Sequence, residues 1–481
     1  MNSAVIQVLK TFSSAEIKEF DKFVRSPFFG GSEYIYTFWN IIKKHHPGFE
    51  GKNFNKEIIF KKLYPGKPFN DGTIRKLSSE LLKLAEEFIK ITEFRKTKIG
   101  NRFLLITYNA RYLYNMYENL WDETIKFYNS KSEFDFLNLI ELHILQISRV
   151  QNVADKKSPR ELFSERMKYY GYMIVYNLII LMQERMRRYL FAEIYNFKHQ
   201  NIAEEICELT DFERNIKIII KKFPQFQNLL FFNYNLMKAF EEPEKSEYFF
   251  NSKNIIKKDK NIPGKSLYFY CSIMINFCLK YRDTYKIADL NEQIIELIEL
   301  LIKRNCIVQE LSNTIENALI EVYVDLLIQK NKIKEAENFI EKYKKFIKDD
   351  IKENVLLHSY YLFAFHKKEY EKALEILSRM KEVNKYDKIN FRIFKLILLY
   401  ELKRFEEAIS VVHSTEEFLR NDKLIAKDLK EPTKVFIEYY KKLLKLKIPF
   451  SKSDEREIKH FLSKEKRYLK EKKWIELKLS A

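Results

Sequence analysis

The sequence predicts an all-α fold in which an N-terminal helical module is followed by an array of helical hairpins. Glycine is scarce, with 9 in 481 residues, and six of the nine lie within the first 72 positions. The rest of the chain has few residues that break helices, which predicts long helices joined by short polar turns. A hydrophobic content of 46% supplies enough apolar surface for a chain that is folded throughout. The length exceeds one ordinary core, so we expect several modules or an extended array.

The first module, residues 1–97, is predicted to contain four helices separated by proline and glycine. Ser13 and Glu16 have the spacing of a capping box, in which each side chain accepts a hydrogen bond from the other residue's backbone N–H. A second helix ends at Pro47, and a third covers residues 55–63. The fourth begins near Asn70 and carries apolar residues at alternating steps of three and four, which predicts an amphipathic helix. These residues are Ile74, Leu77, Leu81, Leu84, Phe88 and Ile91.

The second module, residues 98–260, is also predicted to be helical, with a less regular pattern. The polar stretch 251–265, NSKNIIKKDKNIPGK, ends in Pro-Gly and precedes a change of rhythm, so it is the predicted boundary of a third module, residues 261–446. The helices predicted in the second module are 102–129, 134–153, 160–191, 192–208 and 211–222.

Three phrases repeat in the third module: QKNKIKEAENFI, HKKEYEKALEIL and ELKRFEEAISVV. They align without gaps, and the alanines Ala336, Ala373 and Ala408 are separated by 37 and 35 residues. Each phrase follows an apolar segment, so the unit is a helix, a short charged turn and a second helix. Periods of this length indicate stacked helical hairpins, because one hairpin cannot bury both of its faces alone.

These phrases resemble the tetratricopeptide repeat, and the resemblance covers about residues 280 to 420. The matching features are the apolar residue that opens the second helix and the small alanine three positions later, where the two helices approach. The family's small residue twelve positions before the alanine is replaced by a bulky one, and its proline twelve positions after the alanine by a basic one. The opening residues are Ile333, Tyr370 and Phe405, and the departures are Val324, Tyr361 and Leu396, then Lys348, Lys385 and Arg420.

The resemblance implies a tetratricopeptide-like α-solenoid that acts as a scaffold and binds a peptide or helix of a partner protein on its concave surface. In the family, that surface is formed by the first helix of each hairpin, at fifteen, eleven and eight residues before the alanine. The set carried over is mainly apolar, which suits an apolar ligand helix or an adjoining part of the same chain. Its members are Glu321, Asp325, Ile328, His358, Leu362, Phe365, Ile393, Ile397 and Tyr400, with Glu321, Asp325, His358, Phe365 and Tyr400 as the candidate partner-binding residues.

The N-terminal module resembles uncharacterised helical-repeat proteins of the Bacteroidetes and Chlorobi type. The segments that carry the resemblance are FDKFVRSPFF and LYPGKPFNDGTIRKLSSELLKLAEEF. This resemblance implies helical architecture and no particular activity.

A formal charge of +19 raises nucleic-acid binding as the alternative function, because basic side chains neutralise phosphates. Two clusters are the candidates: Arg185 with Arg188, and the basic C-terminal helix of residues 447–481. Each cluster has a second interpretation. The arginines could form ion pairs with a neighbouring helix. The C-terminal helix could cap the end of the helical array. The heavy use of lysine also fits the codon bias of an AT-rich genome. The candidate residues of the C-terminal cluster are Lys464, Arg467 and Lys473.

No catalytic or metal-binding motif stands out in the sequence. The patterns HExxH, GxSxG and GxxxxGK[ST] do not occur, and the four cysteines lack CxxC spacing. The most apolar stretch, residues 169–182, is short and rich in tyrosine, and the N-terminus lacks the apolar run of a signal peptide. We therefore expect a cytoplasmic protein that is not an enzyme, has no membrane span and needs no cofactor.

Overall fold

A computed structural model describes residues 3–153, 159–195, 202–282, 289–310, 312–382, 385–422, 427–445 and 471–479. Within these ranges the regular structure is helical and no β-strand occurs, which confirms the predicted all-α class. None of the described helices is both long and apolar enough to cross a membrane. The chain forms two compact units, one of residues 1–130 with 141–169 and the other of residues 131–140 with 170–481.

The core of the first unit is formed by five helices. The predicted capping box is present, because Ser13 Oγ accepts from the Glu16 N–H at 3.2 Å and Glu16 Oε2 accepts from the Ser13 N–H at 2.7 Å. In the fifth helix the predicted positions Ile74, Leu81 and Phe88 are buried. The first of the five was not predicted, since seven residues are too few for a clear period. The helices are α1 (Ala4–Lys10), α2 (Ser14–Arg25), α3 (Glu33–Ile42), α4 (Lys56–Leu63) and α5 (Asp71–Arg95).

One carboxylate ties α2 to α3 and the turn after it. Asp21 Oδ1 accepts hydrogen bonds from Trp39 Nε1 at 2.9 Å and from Lys43 Nζ at 2.6 Å. Burial alone would raise the pKa of Asp21, but the hydrogen bonds from Lys43 and Trp39 outweigh it, so the pKa lies below its usual value. The carboxylate therefore stabilises this helix pair in its charged form.

The predicted single helix over 102–129 is wrong, because the chain forms a hairpin there. Helices α6 (Ile99–Ala110) and α7 (Tyr114–Asn129) are separated by a turn in which Tyr112 has φ 59°. The Leu113 N–H donates to the Tyr108 carbonyl at 2.9 Å and closes the end of α6. The turn, with the sequence RYL, contains neither glycine nor proline, so the sequence does not indicate a helix end there.

After α7, two predicted segments differ from the helices that form there. Helix α9 (Pro159–Tyr195) is longer than the predicted 160–191. The predicted segment 192–208 overlaps the end of α9 and most of α10 (Ile202–Leu209), and residues 196–201 lie outside the described ranges. The other helices from α8 onward are α8 (Asn138–Val153), α11 (Phe212–Lys222), α12 (Gln227–Glu241), α13 (Ser246–Lys258), α14 (Gly264–Tyr281), α15 (Leu290–Lys303), α16 (Asn317–Gln329), α17 (Ile333–Tyr343), α18 (Asp349–His366), α19 (Tyr370–Arg379), α20 (Lys385–Glu401), α21 (Phe405–Asn421), α22 (Lys427–Lys445) and α23 (Lys472–Leu479).

The polar stretch 251–265 contains the end of α13 and the turn into α14. Ile256 before this turn, Ile262 within it and Leu267 after it belong to one buried cluster. The core of the second unit is thus continuous across residue 260, where the composition suggests a module boundary.

The three repeated phrases form turns of the same geometry. Asn331, Lys368 and Lys403 occupy equivalent positions with φ of 59°, 61° and 57°. In each turn the next residue's N–H donates to the carbonyl five positions back, as Lys332 does to Leu327 at 2.9 Å, which closes a Schellman motif at the end of the first helix. Similar bonds run from Glu369 to Ala364 and from Arg404 to Leu399.

Replacing Lys403 by glycine is expected to raise the free energy of unfolding by about 0.5 to 1 kcal/mol, because a side chain in the left-handed region is strained and glycine is not. Chemical denaturation of wild type and variant measures the difference. The matched control is Lys395→Gly on the exposed face of α20, which should lower stability by about 1 kcal/mol. A loss at both positions would contradict the strain at Lys403.

Candidate helix-binding surface

The repeated alanines are fully buried in the second helix of each hairpin. Ala336, Ala373 and Ala408 are each 0% exposed. They lie one turn into α17, α19 and α21, whose first residues are the predicted opening residues. A larger side chain at any of these positions would have to displace packed neighbours.

The nine residues carried over from the repeat family, here called the hairpin face, lie on α16, α18 and α20. Ile328, Ile393, Ile397 and Tyr400 are buried, and the other five are partly buried. The Asp325 carboxylate accepts a hydrogen bond from Gln329 Nε2 at 2.9 Å. The face is therefore largely covered, most completely on α20.

The structure brings two of the five candidate partner-binding residues together and leaves three apart. Phe365 packs against the apolar cluster that contains Tyr400. The His358 ring instead lies 6.1 Å from the Phe394 ring, between centroids. Glu321 and Asp325 stand on α16, outside that cluster. Among the candidate residues, Phe365 and Tyr400 thus belong to one apolar cluster, at one end of the hairpin face.

The C-terminal helix α23 covers this end of the face. The Trp474 ring packs edge-on against Tyr400, with centroids 5.4 Å apart, and is stacked near Tyr440 at 6.2 Å. Phe436 of α22 lies at 6.5 Å on the same indole. One turn of α23 therefore inserts an aromatic side chain among three rings from α20 and α22.

Glu401 adds a charged contact at the edge of these rings. Its side chain is 9% exposed. Its Oε1 accepts from Trp474 Nε1 at 2.7 Å, and its Oε2 accepts from Lys478 Nζ at 2.8 Å. Burial, together with this neighbouring carboxylate, raises the pKa of Tyr400 to about 12. Both oxygens of a nearly buried carboxylate are thus paired by one face of α23.

Sequence reasoning missed Glu401, Trp474 and Lys478. From the sequence alone, Glu401 is indistinguishable from an exposed charge at the end of an amphipathic helix, and Lys478 is one of many lysines. The available signal was the spacing of Trp474 and Lys478 by four residues, which places them on one helix face, and the rarity of tryptophan, with 3 in the chain. Ile475 and Leu479, which follow Trp474 and Lys478 directly, are buried at 0% and 3% exposure.

The arginines proposed for anion binding are engaged by carboxylates of neighbouring helices. Arg185 of α9 forms an ion pair with Glu241 of α12 and donates to the Cys207 carbonyl at 3.1 Å. Arg188 forms an ion pair with Glu204 of α10. A phosphate would have to displace these partners. Lys464 and Arg467 lie outside the described residues, as does the side chain of Lys473.

The described residues contain no group of three or more histidine, cysteine or acidic side chains arranged to hold a metal ion. Cys271 and Cys278 are buried in α14, and burial raises the pKa of both thiols. Protonated thiols in such surroundings behave as small apolar side chains.

Comparison of the chain with protein-family models, with curated proteins and with solved structures gives no match.

Proposed function

We propose that this protein is a helical-repeat scaffold without catalytic activity, which binds a helix of a partner protein on the Phe365 and Tyr400 end of its hairpin face. The observation that supports the proposal most directly is the packing of α23 on this surface, through Trp474 and the Glu401 carboxylate. An apolar surface with one anchoring ring and a charged rim has the composition of sites that bind an amphipathic helix.

A peptide in trans tests the proposal on the full-length chain. In the Trp474→Ala variant, α23 loses its anchoring ring, so the surface becomes accessible. A fluorescent peptide of residues 470–481 should bind this variant, as measured by fluorescence anisotropy. The same peptide with alanine in place of Trp474 is the matched control and should not bind. Binding of neither peptide would contradict a helix-binding surface.

A second variant separates loss of binding from loss of folding. Lys478→Glu places two carboxylates together at Glu401 and should release α23 without removing an aromatic ring from the chain. Circular dichroism should show nearly unchanged helix content in both variants. We expect both to bind the native peptide, and failure of both folded variants would reject the proposal.

Nucleic-acid binding by the basic residues stays an alternative prediction. It requires retention of the chain on RNA or DNA that weakens steeply as salt rises, because binding releases counterions from the phosphates.

A further inference from the structure

The residues of α20 and α22 that contact α23 restrict which partner helices can bind the same surface. This inference rests on the proposed function and concerns the chemistry of the partner. Three rings, from Tyr400, Phe436 and Tyr440, surround one indole. A flat aromatic side chain fills such a site with little loss of conformational entropy.

The Glu401 carboxylate imposes a second requirement. It is nearly buried and uses each oxygen for a separate donor, the indole N–H of Trp474 and the ammonium of Lys478. Tyr370 also hydrogen-bonds this carboxylate, so an occupant that lacked the two α23 donors would leave a nearly buried charge with one neutral donor and no counter-charge, which is unfavourable. Phenylalanine in place of tryptophan would fill the space between the rings but could not donate a hydrogen bond to Glu401 Oε1.

The spacing of the two donors defines the geometry of the ligand. Residues four apart lie on the same face of a helix, so Trp474 and Lys478 reach the carboxylate together. Ile475 and Leu479 are buried beside them, whereas Leu477 is 66% exposed. The contacts therefore constrain four positions of the helix, and the two positions between them can vary.

From these contacts we propose that the partner presents an amphipathic helix with the pattern tryptophan, apolar, any, any, lysine, apolar, and that α23 is its intramolecular competitor. The described helix has only eight residues, too few to be stable alone in water. Its attachment to the same chain raises its effective concentration at the surface, so a partner helix competes against a tethered ligand.

Two peptides of identical composition test the pattern. One is residues 470–481, and the other has Glu476 and Lys478 exchanged, which moves lysine to the second position after tryptophan and off the binding face. With the Trp474→Ala and Lys478→Glu chains, we expect the native peptide to bind about 30-fold more tightly than the exchanged one. Adding Glu401→Gln to either chain should remove most of this preference.

Competition is tested with the wild-type chain. We expect the native peptide to bind wild type at least about 10-fold more weakly than it binds the two variants, because α23 occupies the surface. Equal binding to wild type and variants would overturn the competitor role. Equal binding of native and exchanged peptides would overturn the pattern while leaving a helix-binding surface, and binding of no peptide would reject the proposed function itself.

A second copy of the chain could also occupy this surface, and a further experiment distinguishes it from a partner helix. Analytical ultracentrifugation should give the same mass for wild type and for Trp474→Ala at every concentration. If wild type forms a dimer that the Trp474→Ala substitution dissociates, α23 binds between copies, and the partner-helix proposal is wrong.

Discussion

Substituting Glu296 by alanine is expected to lower the free energy of unfolding by about 3 to 5 kcal/mol. Glu296 Oε2 accepts from Lys253 Nζ at 2.8 Å, and Lys253 is 4% exposed although it carries a charge. Gln293, which also contacts Lys253 Nζ, supplies only a neutral acceptor. Removing Glu296 therefore leaves a buried ammonium without a counter-charge. Chemical denaturation of the wild type and the variant measures the loss.

Two control substitutions separate the buried charge from the ion pair itself. Lys257→Ala removes the other lysine that contacts Glu296, at 3.0 Å, but this lysine is half exposed, so we expect a loss below about 1 kcal/mol. Lys253→Met removes the buried charge and keeps most of the apolar stem, so it should cost much less than Glu296→Ala. Equal losses from Lys253→Met and Glu296→Ala would contradict this explanation.

The same pair gives a pH dependence with a defined sign. The hydrogen bond from Lys253 lowers the pKa of Glu296 below its ordinary value. The unfolded chain therefore binds the proton more tightly, and the stabilisation present above about pH 4.3 is lost as pH falls through the folded pKa. Glu296→Ala should flatten the stability profile over this acidic range.

Substituting Ala373 by leucine is expected to cost about 2 to 3 kcal/mol, because three extra carbon atoms must enter the contact between α18 and α19. Ala373 is 0% exposed, and its neighbours in the cluster include Tyr361, Leu377 and Leu398. Thermal or chemical unfolding measures the effect.

The neighbouring position provides a matched control for Ala373. Lys372 is exposed and forms only a surface ion pair with Glu369. Lys372→Leu introduces the same side chain one residue earlier and should change stability by less than about 0.5 kcal/mol. Tolerance of leucine at both positions would mean that the small residue does not determine the packing of the hairpin.

A helix or turn was predicted correctly where the residues that indicate it lie close together in the sequence and follow a known pattern. The capping box of Ser13 and Glu16 and the apolar stripe of α5 involve residues three or four apart, and both were predicted. The turn between α6 and α7 was missed, although its backbone matches the turn at Lys368. Its second helix has Tyr117 where the repeated phrases have alanine, so the sequence pattern is absent.

The sequence by itself determined the helical class, the three aligned turns and the alanines that allow helices to approach, because these depend on residues close together in the chain. Only the tertiary structure decided what lies on the hairpin face. Trp474 and Glu401 are 73 residues apart, and many lysines and glutamates could have paired in their place. Burial selects among such pairs, because a carboxylate that packing removes from water must find donors within reach.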